Sequence, residues 1–316
     1  MPGQPQAVFD ERTGVLADTR MVSLVVYVRD VERSRDYYER LLGLTELSAC
    51  ADEARYDVGP VTLVLRRAAD DGVPLPEGHD DASDVVFLVD DADAARSALE
   101  RRGVEFAHRR TYGIGVVTDF YDPDGHRLMI YEPSGHALET PAGPTLRRVW
   151  REHGHGDSGR IGPAAGPALE GLAGKPLVYV FVFVHEIGAT RRFYEDTGLG
   201  MSVMDRSHCC NDACPDDEKG VVKYEAGEVI LSTHHLHGHE AVRDDHGQAY
   251  GAREFSPADA KGVAPVLAVD DLTAALEALG ERGIEPWRSP RPWEKGVAAG
   301  VVAPSGHLLY LHEAAP

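Results

Sequence analysis

The sequence is poor in cysteine and has no long apolar run. Four cysteines in 316 residues are too few for the disulfide framework of a small secreted scaffold. No apolar run approaches the roughly 18–20 residues that a membrane span needs. The first residues lack the basic patch and the apolar stretch of a secretory signal. These absences predict a cytoplasmic protein that does not bind a membrane.

Basic residues are also in short supply. The chain has 32 Lys and Arg against 52 Asp and Glu, which gives a net charge of −20. Such a surface repels phosphate backbones, so we expect no nucleic-acid partner. A small molecule is then the expected ligand, as a sequestered compound or as a substrate. The sequence also allows a homodimer.

Three of the four cysteines stand close together. Cys209, Cys210 and Cys214 follow His208, a spacing that suits a soft metal if a distant ligand joins. A plain polar loop is the alternative, and one short cluster supplies too few ligands for a closed zinc site. Both readings stay open at this point.

What the sequence does have is an internal repeat. Residues 84–105 align without gaps to 264–285, with about half the positions identical, and 23–38 align to 179–194. Such self-similarity is typical of repeated structural units. The order of the repeats predicts two paired domains, the first at 21–135 and the second at 176–316. An N-terminal tail at 1–20 precedes them, and a linker at 136–175 separates them.

Each repeat has the same pattern of residues. A short β-branched run is followed by an amphipathic stretch such as Val31–Leu42, which ends at Gly43. Three further runs then alternate apolar and polar residues. The pattern predicts four βαβββ units and an α+β fold. In the linker we expect a short helix at Leu146–Glu152, and the polar insertion at 236–262 has the length of a lid over a cleft.

Three segments carry a resemblance to a known family. They are DVERSRDYYERLLGL from residue 30, VDDADAARSALERRGV from residue 89 and DFYDPDGHRLMIYEP from residue 119. They resemble the glyoxalase, bleomycin-resistance and extradiol-dioxygenase superfamily, also called vicinal oxygen chelate. The resemblance implies that paired units curl into open barrels whose inward side chains line a pocket. It does not imply one function, because this fold supports isomerases, dioxygenases and drug-binding proteins.

The resemblance also implies where a metal would bind. The family's ligand places hold, in this chain, Ser23, Leu63, Asp84, Met129, Tyr179, Leu231, Ala264 and Tyr310. None is histidine, and a divalent ion needs three or so protein donors. We therefore expect no metal and no cofactor. A displaced site is the alternative, built from His235, His312 and Tyr310 or recruiting His234, His237 or His239.

Candidate site residues lie in the second domain. We expect Tyr310, His312 and Tyr179 to act as acids, bases or hydrogen-bond donors. Strand alternation and aromatic character predict a ligand-binding set of Thr233, His235, Phe181, Trp287 and Trp293. These residues and the insertion at 236–262 place the principal pocket in the second domain.

Two classes of function remain from the sequence. The first is a metal-free protein that sequesters or transforms a small aromatic or polycyclic compound. The second is an enzyme, either a metal-independent lyase, cyclase or isomerase, or an extradiol dioxygenase. The dioxygenase is disfavoured because its iron would need the histidines that positions 179 and 264 lack.

Overall fold

The computed structural model describes most of the chain. The described residues are 14–156, 160–162, 170–195, 198–207, 220–235, 242–243, 249–250 and 261–316. The cluster of Cys209, Cys210 and Cys214, the histidines His237 and His239, and nearly all of the predicted lid lie outside them.

The first unit, module 1, shows how the local sequence builds each repeat. Strand β1 (Met21–Val28) is buried along almost its whole length. Asp30 caps helix α1 (Val31–Arg35) by accepting a hydrogen bond from the backbone N–H of Arg33, as N-cap aspartates do. A π-helical turn (Asp36–Leu41) extends this helix to Gly43, whose positive φ of 74° ends it. Module 1 continues with β2 (Thr45–Ala49), β3 (Glu53–Asp57) and β4 (Thr62–Arg67).

The other three modules repeat this order. A single helical turn, α2 (Ala68–Asp71), leaves module 1. Module 2 consists of β5 (Asp80–Leu88), α3 (Ala92–Arg102), β6 (Phe106–Tyr112), β7 (Gly115–Tyr121) and β8 (His126–Pro133). After the linker helices α4 (Gly135–Glu139) and α5 (Gly143–His153), module 3 consists of β9 (Leu177–Val184), α6 (Ile187–Tyr194), β10 (Val203–Ser207), β11 (Val221–Ala226) and β12 (Val229–His235). A small hairpin, β13 (Val242–Arg243) and β14 (Ala249–Tyr250), precedes module 4, which consists of β15 (Val263–Ala268), α7 (Leu272–Glu281), β16 (Arg288–Pro292), β17 (Gly296–Val302) and β18 (Leu308–Ala314).

The four modules form two eight-stranded sheets. Sheet A has the order β16-β17-β18-β15-β1-β4-β3-β2, and sheet B has the order β10-β11-β12-β9-β5-β8-β7-β6. Antiparallel pairs join the modules at the middle of each sheet, β1 with β15 and β5 with β9. The predicted α+β class and the four βαβββ units are confirmed.

The partners within each sheet differ from the order expected along the chain. Sheet A combines module 1 with module 4, and sheet B combines module 2 with module 3. Each sheet therefore combines one module that precedes the segment 136–175 with one module that follows it. The domain boundaries drawn at 136–175 stay a prediction.

One face of each sheet carries the helices, and we call the opposite face the outer face. On the helix side, side chains from both sheets and from all four modules' helices form one connected apolar core. Tyr38, Leu99, Tyr194 and Leu279 represent the four helices there. Each outer face has its own smaller apolar cluster. Because side chains alternate along a strand, neighbouring residues contribute to different faces.

Two histidines connect the sheets. Nε2 of His126, in sheet B, donates to the carbonyl oxygen of Tyr27 in sheet A at 2.6 Å. Nε2 of His307, just before β18 of sheet A, donates to the carbonyl oxygen of Ala82 in sheet B at 2.9 Å. Both rings are about 1% exposed. The Gly-His pair that recurs in modules 2 and 4 thus forms reciprocal connections between the sheets.

The linker covers the outer face of sheet B. Helix α5 includes the predicted helix Leu146–Glu152 and begins three residues earlier. Its Leu146 and Trp150 are buried against Tyr131 and Tyr179 of the sheet. The linker is therefore part of the folded core over this stretch.

Part of the predicted tail is also packed. Leu16 is 1% exposed, and its backbone N–H donates to the carbonyl oxygen of Leu199. The backbone N–H of Ala268 donates to the carbonyl oxygen of Arg20. Residues 14–20 therefore extend the fold beyond the first strand.

Within the described residues, no helix has both the length and the apolar character to cross a bilayer.

Candidate functional site

The outer face of sheet A brings together the first and last modules. Alternation along β1 puts Val25 and Tyr27 on this face, and alternation along β18 does the same for Leu308 and Tyr310. The two tyrosine hydroxyls lie 2.6 Å apart. Trp293 stacks on Tyr310 with ring centroids 4.9 Å apart and planes inclined by 27°. Two predicted site residues, Tyr310 and Trp293, are thus in direct contact.

A buried carboxylate completes this group. Asp71, at the end of α2, is 3% exposed and accepts a hydrogen bond from the hydroxyl of Tyr27 at 2.9 Å. Both Nη atoms of Arg291 donate hydrogen bonds to this carboxylate, at 2.7 and 2.8 Å. Arg288 and Arg66 approach the same carboxylate to 3.0 and 2.8 Å. Three guanidinium groups therefore surround one carboxylate.

This environment sets the charges of the group. Burial alone would raise the pKa of Asp71, but the hydrogen bond from Arg291 and the charge of Arg66 lower it to about 2. Burial and the neighbouring Tyr310 and Asp71 raise the pKa of Tyr27 far above its ordinary value, and burial also raises the pKa of Tyr310. At neutral pH both phenols are therefore neutral donors beside a charged carboxylate.

His312 lies two residues beyond Tyr310 on the same face. It is 8% exposed, and within the described part of the chain its Nε2 has no hydrogen-bond partner. Nε1 of the neighbouring Trp293 is likewise buried and unpartnered among those residues. Buried polar atoms normally have partners, so these two atoms mark places where a ligand can bind.

Trp287 lies at the rim of the same face. Its ring is 37% exposed, and the guanidinium of Arg288 stands 4.6 Å from its centroid. A Cβ placed on Gly300 would lie 3.2 Å from both the Trp287 and Tyr310 rings. The glycine therefore lets this exposed indole approach the buried tyrosine.

The outer face of sheet B carries a row of aromatic rings. Tyr131 and Tyr179 have centroids 6.0 Å apart, Tyr179 and Phe181 5.2 Å, and Phe181 and His234 4.5 Å. Burial, with a smaller effect from Lys223, lowers the pKa of His234 to about 3, so this imidazole is neutral at pH 7. Trp150 of α5 packs over part of the row.

The residues that the sequence places in one pocket of the second domain do not all lie together. Tyr179 and Tyr310 do not converge, because they lie in different sheets and different clusters. Thr233 and His235 do not share a face with Phe181. Thr233 is opposite Val182 in the pairing with β9, and Val182 belongs to the helix-side core.

In β12 the predicted side-chain orientation is displaced by one residue. The structure puts His234 and not His235 beside Phe181, and a slip of one residue reverses every side chain of a strand. His235 instead has its Nε2 2.6 Å from the carbonyl oxygen of His185 at the strand end. His235 and His312 belong to different sheets, and no group of ligand atoms among the described residues includes either of them.

The family's metal places do not fit a divalent ion in this chain. Leu63 and Leu231 point to the helix side and offer no donor. On the outer face of sheet B, Asp84 lies 3.8 Å from the guanidinium of Arg127, so a cation already neutralises it. The remaining polar places are one serine and two tyrosines, neutral oxygens that hold such ions weakly.

Another possible ligand group lies elsewhere. Within the described residues, Glu152, His153 and Glu228 have ligand atoms within 4.8 Å of one another. Arg148 and Arg151 pair with the two carboxylates at 3.5 and 3.1 Å. Because these arginines already neutralise them, the group lacks the free charge that a cation site needs.

An open cleft of about 550 Å³ lies at the C-terminal ends of β1 and β4, beside α1. Arg29, Arg35 and Arg67 line it with the exposed thiol of Cys50. Each guanidinium is paired, with Asp124, Glu46 and Asp52 respectively. The cleft is therefore a solvated surface with balanced charge, and it does not include the Tyr27–Tyr310 group.

Sequence reasoning missed Tyr27, Asp71 and the three arginines. Arg288 and Arg291 are three residues apart, and regular alternation would put them on opposite faces. A register shift in β16 between these two residues lets both side chains reach Asp71, as bulges allow. The local signal was the arginine pair in RSPRPW, which directly precedes the candidate residue Trp293.

Comparison with known proteins gives the wider context. Residues 20–130 match the family model described as the Glyoxalase/Bleomycin resistance protein/Dioxygenase superfamily. Among curated proteins, no sequence matches the chain significantly.

Solved structures match almost the whole chain. Glyoxalase I from Zea mays is 18% identical, with a TM-score of 0.57 over 94% of this chain and 92% of the maize chain. A protein of Bacillus subtilis described as a candidate dioxygenase is 14% identical, with a TM-score of 0.55 over 94% of this chain and 86% of its own. At these identities the likeness shows the fold. Residues 20–130 are therefore similar in sequence to the Glyoxalase/Bleomycin resistance protein/Dioxygenase superfamily, and the two eight-stranded sheets of the whole chain share the fold of these solved structures.

Proposed function

We propose that the protein binds a small planar molecule on the outer face of sheet A, without a divalent metal. The observation that carries this proposal is the stack of Trp293 on Tyr310, with the Tyr310 hydroxyl bonded to Tyr27. Aromatic surfaces hold planar ligands by stacking, and a few fixed polar groups orient them. The ligand class is the one that the sequence favoured, a small aromatic or polycyclic metabolite.

Accessible and buried groups have different roles in this proposal. Trp287, exposed at the rim, offers the first stacking surface. Nε1 of Trp293 and Nε2 of His312, which have no partner among the described residues, offer hydrogen bonds deeper in the face. The ligand needs an acceptor for the indole N–H. The mismatched donor set at the family's metal places supports binding without a metal.

Metal-free catalysis is the second candidate function. It is favoured by one observation, the buried Nε2 of His312 on the face that carries Tyr310. An imidazole can accept or release a proton near neutral pH, and a neutral phenol can donate a hydrogen bond to an oxygen that gains charge. A lyase, cyclase or isomerase reaction on the bound compound would use these two groups. A cytoplasmic location is proposed for either function.

Calorimetric titration with planar compounds tests the proposal. 2-Naphthol is the lead probe, measured with the untreated protein and after dialysis against a chelator. We expect unchanged affinity after chelation and less than one Fe, Zn, Ni or Mn per chain by elemental analysis. Trp287→Ala and Tyr310→Phe should each weaken binding about tenfold, because a lost stacking partner or hydrogen bond is worth about 1 kcal/mol or more.

Leu47→Ala is the matched control for Trp287→Ala. Leu47 is 57% exposed on β2, at the far edge of sheet A. Its loss should leave the titration unchanged. A stoichiometric metal whose removal abolishes binding would contradict the proposal. Equal affinities of all variants for every planar compound that binds would also contradict it.

A further inference from the structure

We propose that Asp71 occupies an anion pocket as an internal ligand, and that the external ligand of this pocket is the carboxylate of a planar organic acid. This inference rests on the proposed function and specifies the chemistry of its ligand. It assigns Arg66, Arg288 and Arg291 as the groups that receive the ligand's charge.

The geometry around Asp71 is that of a recognised carboxylate. Arg291 makes two parallel contacts through Nη1 and Nη2, at 2.7 and 2.8 Å. Arginine binds carboxylates in this two-pronged way where specificity matters. Arg288 approaches one carboxylate oxygen of Asp71 to 3.0 Å and also donates to its backbone carbonyl oxygen. A carboxylate from outside the chain would find the same donors.

The pocket holds more positive charge than Asp71 balances. Among the described residues, Asp71 is the acidic partner of both Arg288 and Arg291. Arg66 also pairs with Glu53, at 3.1 Å. The chain as a whole has 52 acidic and 32 basic residues. Three arginines on one buried carboxylate therefore give this site a local excess of positive charge in an acidic protein. The excess positive charge favours an anionic ligand.

An aromatic surface adjoins these charges. The guanidinium of Arg66 stands 4.5 Å from the Trp293 ring centroid, and that of Arg291 stands 5.3 Å from it. A planar acid stacked near Trp293 would place its carboxylate within reach of both arginines. Nε1 of Trp293, which is buried and has no partner in the described part of the chain, supplies a further donor. Stacking and charge recognition thus meet at one place.

Asp71 lies at the end of a single helical turn. Helix α2 is four residues long and ends at Gly72, whose φ is 63°. Two backbone hydrogen bonds close this turn, from Gly72 to Ala69 and from Val73 to Ala68. Single turns are marginal by themselves, so opening of this one turn would withdraw the Asp71 side chain from the arginines. A ligand carboxylate would then replace it on the same arginines.

Two probes of equal size and different charge test the inference. The affinities of 2-naphthoate and 2-naphthol are measured by calorimetry on the wild type, Asp71→Ala and Asp71→Asn. We expect removal of the internal competitor to strengthen 2-naphthoate binding about tenfold or more relative to 2-naphthol binding in the same variant. Asp93→Ala is the control, because Asp93 also pairs with an arginine, Arg109, but on the surface.

Rescue by a simple carboxylate gives a second readout. Acetate should raise the Tm of Asp71→Ala more than chloride at equal ionic strength does, and it should have no such effect on the wild type or on Asp93→Ala. If Asp71→Ala does not fold, Asp71→Asn carries both measurements, since it keeps the size and one acceptor. Equal 2-naphthoate affinity in wild type and variant, without acetate rescue, would overturn the inference.

The outcomes separate the two proposals. Binding of 2-naphthol without any gain for 2-naphthoate leaves the proposed function standing and overturns the anion pocket. Acetate rescue without binding of either naphthalene compound supports the anion pocket and contradicts the planar ligand.

Discussion

The hydroxyl oxygens of Tyr27 and Tyr310 lie 2.6 Å apart, although 283 residues separate them in the chain. Tyr27 belongs to β1 and Tyr310 to β18, so the contact joins the first and last modules. It is buried, and both phenols stay neutral because their pKa values are raised, first by burial. The hydrogen bond therefore serves both the pairing of the modules and the proposed site.

Tyr27→Phe and Tyr310→Phe should each lower the free energy of unfolding by about 1–2 kcal/mol. Tyr27→Phe leaves the buried hydroxyl of Tyr310 without its partner, and Tyr310→Phe removes one of the two hydrogen bonds of the Tyr27 hydroxyl. The double variant removes both polar groups. The double variant should therefore lose less than the sum of the single losses. Urea denaturation of the four proteins measures this coupling. Strict additivity would show that the two hydroxyls do not interact.

The Asp71 carboxylate should make the protein sensitive to acid. Its pKa is lowered from 3.8 to about 2, so its ionised form stabilises the folded state at any pH above 3.8. That contribution, about 2 kcal/mol, is lost as pH falls from about 3.8 towards 2. Denaturation midpoints between about pH 4 and about pH 2 should fall more steeply for the wild type than for Asp71→Asn. Parallel curves would show that Asp71 does not contribute.

His126→Phe should weaken the connection between the sheets. The phenyl ring fills a similar volume but cannot donate to the carbonyl oxygen of Tyr27, which is left buried and unpaired. We expect the free energy of unfolding to fall by about 1–3 kcal/mol. His136→Phe, at an exposed position of α4, is the control and should change it by less than about 0.5 kcal/mol. An equal effect of both changes would contradict the connecting role of His126.

Trp150→Ala should show how firmly the linker is bound to sheet B. Trp150 is 1% exposed against the outer face, and the removal of a buried tryptophan costs about 3–5 kcal/mol. Trp287→Ala removes the same side chain at 37% exposure and should cost much less. Thermal denaturation followed by circular dichroism compares the two. Equal loss would mean that the linker does not stabilise the sheet.

The modules of the fold could be predicted from the sequence because their signals are local. Alternation, helical spacing and terminal glycines such as Gly43 and Gly103 fix each βαβββ unit. The choice of partner has no such signal. Either β5 or β15 could pair with the free edge of β1, because both are short apolar strands. The packing of the whole chain selects β15.

The candidate site was predictable to the extent that it follows strand parity. Tyr310 and His312, two residues apart on β18, share one face of sheet A, as alternation predicts. His234 and not His235 lies beside Phe181, and nothing in a run of two histidines shows which one faces a given side of the sheet. Asp71 was not predictable, because it reaches Arg288 across 217 positions of the sequence and through an irregularity in β16.

The nested pairing of the modules has a consequence for synthesis on the ribosome. Modules 2 and 3 are adjacent along the chain, so sheet B can close once His235 has left the exit tunnel. Strand β1 is made first, but its partner β15 comes near the end. For most of translation β1 therefore exposes one edge of unpaired backbone groups, the kind of edge on which other chains can pair. Nascent chains of this protein should depend on chaperone protection of module 1 until module 4 emerges.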